Sequence, residues 1–343
     1  MVRPGHRHRT IAAGSRANSG SVELYDSHSP RCLAKIPHDA RDVAFSPLGL
    51  RVAGDYKNKL WQANVNTGQV DWAIELDADV TLTELAYALD RRRLLVGSNT
   101  GHLYVFDADS GKQLAKHFIS DSPISDVAVQ KAQVLIGTRA GQLFATHFNS
   151  LPNVTNFHTA NSDITITRLL NKGTEFVALT KSGTVLKGKL GAVQSEMAVT
   201  NTAETGISPA YSLAMNKAGS EMIVSYDTGM KLLKTSTLET VKVPTNDELP
   251  KIRSAAYLTV NGGFVSVLKD GGLNVWARSA KAVQGVKAGH RIGGETARKR
   301  YVKIRDAGIK KKRLYNALKA ETDLLYTSGD CDAYEIKATG LTA

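Results

Sequence analysis

Eight times along the chain, a short run of β-prone residues is followed by a turn and a second run of alternating apolar residues. The units cover residues 10–26, 50–65, 94–107, 134–148, 176–190, 222–235, 264–278 and 324–337. Their turns fall at Gly20, Asn58, Gly101, Gly141, Gly183, Gly229, Gly271 and Gly329, giving intervals of 38, 43, 40, 42, 46, 42 and 58 residues. In the third unit Leu103 and Val105 alternate with Tyr104 and Phe106. That is the period of two a strand requires. Glycine in the turn supplies the positive φ of a tight hairpin.

A sheet of about forty residues cannot cover both of its own faces, but radially stacked sheets cover one another. The expected fold is therefore all-β: a single β-propeller of four-stranded blades over residues 10–343. Seven blades are expected if the two termini share one blade, which removes open edges, and eight if each terminal unit stands alone. The hairpin turns should lie on one rim, because equivalent positions of radial repeats share a face.

Charge separates one segment from the rest. The chain has 343 residues and a net charge of +12. Residues 281–313 hold twelve Lys or Arg against Glu295 and Asp306, a net +10. This stretch lies within the longest interval, so it reads as a basic insertion before the last unit. Residues 1–9 read as a basic N-terminal arm; the Arg-rich, acid-free start before Glu23 also has the composition of an organellar targeting segment. No window approaches the roughly 18 apolar residues of a membrane helix, and no apolar signal core is present. An intracellular protein, nuclear or cytoplasmic, is expected, with an organelle as the alternative.

Reactive chemistry finds little support. Cys32 and Cys331 are too few for a disulfide framework or a thiolate metal site. They sit in the first and last units, so a closed ring brings them near each other, either as two independent thiols or as a staple. His6 and His8 alternate with Arg7 and Arg9, whose charge opposes a metal ion. Nucleophile-elbow, zinc-helix and phosphate-loop motifs are absent. No catalytic, cofactor or metal residues are expected, and the protein reads as a non-enzyme. Trp61, Tyr104, Phe144 and Trp276 recur at similar hairpin positions and are expected to fill the core between blades.

Two resemblances bear on function. Residues 42–49 (DVAFSPLG) with Val52, Ala53 and Gly54 resemble the first two strands of a WD40 blade. Tyr25-Asp26 and Phe106-Asp107 stand where that family has Trp-Asp, and Gly219 matches a turn of the same kind. The resemblance implies a non-catalytic interaction platform. The Gly-His pair that opens such blades is missing, since Gly101-His102 falls inside a hairpin. Residues 63–72 (ANVNTGQVDW) and 106–114 (FDADSGKQL) instead resemble quinoprotein-type propeller repeats, which implies an enzyme with a cation-holding central cavity.

The reading that follows is a WD40-like scaffold in a large assembly, a ribonucleoprotein, with other proteins and RNA as partners. Arg298, Lys299, Arg300, Lys303, Arg305, Lys310, Lys311, Lys312 and Arg313 are expected to contact RNA phosphates. Tyr301 would stack on a base or anchor the segment. An adaptor for acidic proteins and a quinoprotein-like enzyme are the alternatives.

Overall fold

The computed structural model describes residues 2–4, 10–14, 21–26 and 32–241, apart from positions 89, 91, 152, 171–172, 192–193, 217 and 227–228. Beyond these it describes 252–257, 264–268, 273–276 and 290–292. These residues form seven sheets, each of four antiparallel strands laid down in chain order. Blade 1 comprises Val2–Pro4, Thr10–Gly14, Val22–Asp26 and Cys32–Ile36. Blade 2 comprises Asp42–Phe45, Arg51–Tyr56, Lys59–Asn64 and Val70–Glu75, and blade 3 Leu82–Tyr87, Arg93–Ser98, His102–Asp107 and Gln113–Phe118. Blade 4 comprises Ile124–Gln130, Gln133–Thr138, Gln142–His147 and Thr155–Thr159, and blade 5 Ile164–Leu170, Glu175–Thr180, Thr184–Lys189 and Ala198–Glu204. Blade 6 comprises Ala210–Met215, Glu221–Tyr226, Gly229–Lys234 and Thr240–Val241. Blade 7 comprises Ile252–Tyr257, Phe264–Leu268, Leu273–Trp276 and His290–Ile292.

The first strand of each blade touches the first strand of the next, and Ile252–Tyr257 touches Val2–Pro4. The ring is thus closed, with these strands innermost. The first seven hairpins of the sequence are the second and third strands of the seven blades, one hairpin per blade. The eighth, at 324–337, lies outside the described residues.

The count of seven arises differently from the shared-blade expectation. Blade 1 is built wholly from residues 2–36, so no strand is exchanged between the termini among the described residues. Its inner strand comes from the segment that composition assigns to a basic arm: Val2 pairs with Ala13, Arg3 with Ala12 and Pro4 with Ile11. Three residues ending in proline carry no alternation to detect, and an edge strand tolerates the missing N–H. Blade 7 takes its outer strand, His290–Ile292, from inside the basic stretch.

The core is a series of seams between blades rather than one centre. Val22, Leu24, Val43, Val52 and Trp61 join blades 1 and 2, and Leu60, Leu85, Tyr87, Tyr104 and Phe106 join blades 2 and 3. Further seams join blades 3 and 4, 4 and 5, and 5 and 6. Trp61, Tyr104 and Phe144 are buried in these seams, as expected; the Trp276 side chain lies outside the described residues. Trp61 fits because Gly54 opposite it has no side chain, and a Cβ there would overlap the indole. Its Nε1 donates to the Asp39 carbonyl at 2.9 Å.

Outer strands carry a second repeated device. In blades 1 to 5 the pairing of third and fourth strands slips by one residue, leaving Leu33, Asp71, Leu114, Phe157 and Thr200 as the extra residues. Such bulges twist an exposed edge and hinder edge-to-edge pairing.

The hairpin glycines seal the rim. Gly183 has φ +91°, and a Cβ on it would overlap the Ile207 carbonyl oxygen of the following link. Gly206 has φ +66° but its nearest neighbour is Lys231 Nζ at 3.8 Å. In thermal or urea unfolding, Gly206→Ala should cost only the left-handed penalty of about 1–2 kcal/mol. Gly183→Ala should cost clearly more, because backbone must also move; equal costs would contradict this packing.

Candidate functional site

The repeats place three kinds of surface on the ring: the rim of hairpin turns, the opposite rim, and the channel wall. On the first rim, the turn between second and third strands bonds to the links between blades. Leu82 N–H donates to the Lys57 carbonyl at 2.7 Å, Asn99 N–H to Thr81 at 2.8 Å, Arg139 N–H to Pro123 at 3.0 Å and Lys181 N–H to Asp163 at 2.8 Å. Hydroxyls at the end of the second strand close these turns: Thr138 Oγ1 accepts from Gln142 N–H at 3.2 Å and Thr180 Oγ1 from Thr184 N–H at 2.9 Å. The turns therefore share one rim. Gly101-His102 sits in such a turn, its His Nδ1 3.0 Å from the Thr100 carbonyl, so it takes no part in a blade-opening triad.

The opposite rim explains both resemblances. Gly49 and Gly219, at φ +70° and +68°, make the same turn between first and second strands, each N–H donating back to Ser46 or Asn216. This is the turn of the WD40-like segments. The quinoprotein-like segments are the turns between third and fourth strands. Asn64 Oδ1 accepts from Asn66 N–H at 2.9 Å, and Asp107 Oδ1 from Ser110 N–H at 2.8 Å. These bonds hold the Asp107 carboxyl below the ordinary carboxylate range, first through the Ser110 hydroxyl. Gly68 and Gly111 close the turns at φ +69° and +72°, and Leu238 does so in blade 6 at φ +61°. The motif encodes a turn, and its side chains are spent on it.

The channel wall comes from the inner strands. Pairing register puts Arg3, Ala44, Ala86, Ala128, Arg168, Ala214 and Ala256 at one level. Two residues earlier along the strand stand Asp42, Glu84 and Asp126 in blades 2 to 4, then Ile166, Ser212 and Ser254. Asp42, Glu84 and Asp126 are buried. Asp126 Oδ2 accepts from Thr167 N–H at 2.6 Å and Thr167 Oγ1 at 2.7 Å, tying blade 4 to blade 5. Arg168 Nη1 lies 3.5 Å from the same oxygen and donates to the Thr167 carbonyl at 2.6 Å. Blades 2 and 3 are tied by Tyr87, whose hydroxyl donates to Gln62 Oε1 at 2.5 Å; Gln62 Nε2 donates to Asp71 at 3.3 Å, and Asp71 pairs with Arg51. Burial drives the Tyr87 phenol up, beyond any physiological titration.

Asp55, on the second strand of blade 2, carries a large shift. It lies opposite Asp42, accepts from the Asp42 N–H at 3.2 Å and faces Arg41 Nε at 3.5 Å. Burial, with a smaller push from Asp42, raises it from 3.8 to about 7 against the opposing pull of Arg41. Asp42, Glu84 and Asp126 on the inner strands are the feature that sequence reasoning missed. Aligning DVAF, ELAY and DVAV would have exposed both the acidic column and the alanine column that Arg168 interrupts.

The residues expected to contact RNA, Arg298 to Arg313 with Tyr301, lie outside the described residues, as does Cys331. Among the described residues no cluster of three His, Cys, Asp or Glu side chains could hold a metal ion. No helix of the described residues is long and apolar enough to cross a membrane.

Known proteins with this architecture supply a comparison. No protein-family model and no curated protein sequence matches the chain. Solved structures do. The β-propeller domain of Cps50 (Swd1) from Myceliophteria thermophila superposes with a TM-score of 0.70 at 11% identity, covering 81% of this chain and 95% of that one. A chain of the Mitotic Checkpoint Complex superposes at 0.58 with 15% identity, covering 71% and 79%. The chain folds as a β-propeller. At such identities the likeness concerns the fold.

Titration of Asp55 gives a direct check on its buried placement opposite Asp42 of the inner strand. Its folded pKa lies above its unfolded one, so the fold binds the proton more tightly and its contribution to stability is lost as pH rises from 3.8 to about 7. Asp55→Asn should flatten that part of the stability profile, read by urea unfolding at pH 5 and pH 8. An unchanged profile would place the titration elsewhere.

Proposed function

We propose that the protein is a non-catalytic scaffold: the ring engages protein partners of a larger assembly, and the basic stretch contacts RNA. The observation that carries this reading is the division of charge. Of the net +12, residues 281–313 hold +10, while the rest of the chain is close to neutral. A concentrated positive field on a neutral frame is the arrangement that phosphate-backbone binding uses. The fold supports the scaffold half, because a propeller offers two rims and a circumference built on a rigid core. One similar solved chain belongs to a Mitotic Checkpoint Complex, an assembly of proteins.

RNA would be held by counterion release through Arg298, Lys299, Arg300, Lys303, Arg305 and Lys310 to Arg313. Such contacts position the strand without reading its sequence. Affinity for a fluorescent single-stranded RNA should therefore fall by about 0.7–0.9 log units per log unit of salt for each phosphate engaged. Replacing Lys310, Lys311, Lys312 and Arg313 with Ala should lower that slope by up to about three, leaving sequence preference and thermal midpoint unchanged. An unchanged slope would remove these residues from the interface. Absence of salt-dependent RNA binding by the intact protein would favour an acidic protein as the partner of this stretch.

A further inference from the structure

The outer surface of blade 3 differs from that of the other described blades. Four large apolar residues are exposed among the described residues, and two of them, Leu114 at 51% and Phe118 at 55%, lie on its outer strand, Gln113–Phe118. Both point toward blade 2. Lys116 pairs opposite Tyr104 and Phe118 opposite His102, so Lys116, Phe118 and Tyr104 share a face. Tyr104 and Phe106 belong to the seam with blade 2, which fixes that face. Leu114 is the bulge residue beside Gln113, opposite Phe106, and a bulge turns both of its residues to the partner's side.

Blade 2 supplies the other wall. Trp72, Ile74 and Leu76 of its outer edge pack on the same seam and remain partly exposed. Trp72 is fixed by its Nε1 donating to the Ala108 carbonyl at 3.1 Å, and a Cβ on Gly111 would come within 2.7 Å of its ring. At the other end, the His102 ring stands edge-on to Phe118 with centroids 5.4 Å apart. Between the two exposed apolar side chains, Lys116 lies over the Tyr104 ring at 5.4 Å and makes no ion pair among the described residues. The strand carries no acid. The comparable outer strand of blade 2 exposes Asp71, Ala73 and Glu75 instead.

We propose that this groove between the outer strands of blades 2 and 3 binds an extended acidic-apolar segment of a protein partner. Its two apolar side chains cover Leu114 and Phe118, and a carboxylate between them meets Lys116. Alternate residues of an extended chain are about 6.8 Å apart on one side, which matches the spacing of alternate positions on the strand beneath. The cation between apolar neighbours chooses the partner's sign, and the bulge at Leu114 directs recognition to side chains rather than to edge pairing. The inference deepens the protein-binding half of the proposed function and is independent of RNA.

The test begins with a displayed library of linear eight-residue peptides, selected on the intact protein. Enriched peptides should carry apolar residues two places either side of an Asp or Glu. A selected peptide, synthesised and titrated by fluorescence anisotropy, should bind at least tenfold more weakly to Phe118→Ser and to Lys116→Glu. Replacing its acid with Lys should restore binding to Lys116→Glu. Leu50→Ser, an exposed apolar site elsewhere, should bind like the parent, as should the Lys310 to Arg313 alanine variant, which separates this surface from the RNA reading. The variants' thermal midpoints should match the parent's, since the altered side chains are exposed. Enriched peptides without the acid, or affinities indifferent to Phe118 and Lys116, would overturn the proposal. So would concentration-dependent dimerisation abolished by Phe118→Ser, which would make a second copy the occupant.

Discussion

Each blade depends on its neighbours to cover its faces. A four-stranded sheet with Leu60 on one side and Trp61 on the other exposes apolar surface on both, and only the flanking blades remove it from water. This requirement propagates around the circle until it meets its start. Contact of Ile252–Tyr257 with Val2–Pro4 is therefore the step on which the rest of the structure rests. Without it the seam between blades 7 and 1 would open, and one face of each of these blades would lose its cover.

Polar groups reinforce the seams where apolar packing thins toward the channel. Asp126 bonded to Thr167, and Tyr87 bonded to Gln62, each join consecutive blades through buried or nearly buried groups. Their directionality fixes one blade's height against the next, which apolar packing alone does not. Outer strands obey the opposite need: they must stay unpaired, and the recurring bulge serves that. Blade 3 keeps the bulge but exposes Leu114 and Phe118 beside it, so its edge hinders another strand while its groove accepts side chains.

Much of the fold was legible because turns punctuate the chain. Gly101, Gly141 and Gly183 sit at φ +73°, +81° and +91° in equivalent hairpins, and only glycine fits beneath the neighbouring link. Trp61, Tyr104 and Phe144 read as core because aromatic residues at matching strand positions face matching seams. Inner strands were harder to see. Leu82–Tyr87 is buried on both faces and shows no alternation, and its Glu84 looks like a surface residue until register sets it beside Asp42 and Asp126. Val2–Pro4 was invisible because three residues carry no pattern. In the quinoprotein-like segments Asn64 and Asp107 serve turn formation, a local use that the sequence pattern alone did not reveal. Leu114 and Phe118 gave no warning, since an apolar residue in a strand reads as core until a neighbouring blade fails to cover it.

Removal of residues 1–8, which deletes the inner strand of blade 1, tests ring closure most directly. Urea unfolding followed by tryptophan fluorescence and by far-ultraviolet circular dichroism reports the seams and the sheets separately. If the ring closes through Val2–Pro4, the truncated protein should unfold at markedly lower urea, with the two signals no longer coincident as blades 1 and 7 melt before the rest. A truncated protein with the parent's midpoint, slope and coincident transitions would show that the ring does not depend on this closure.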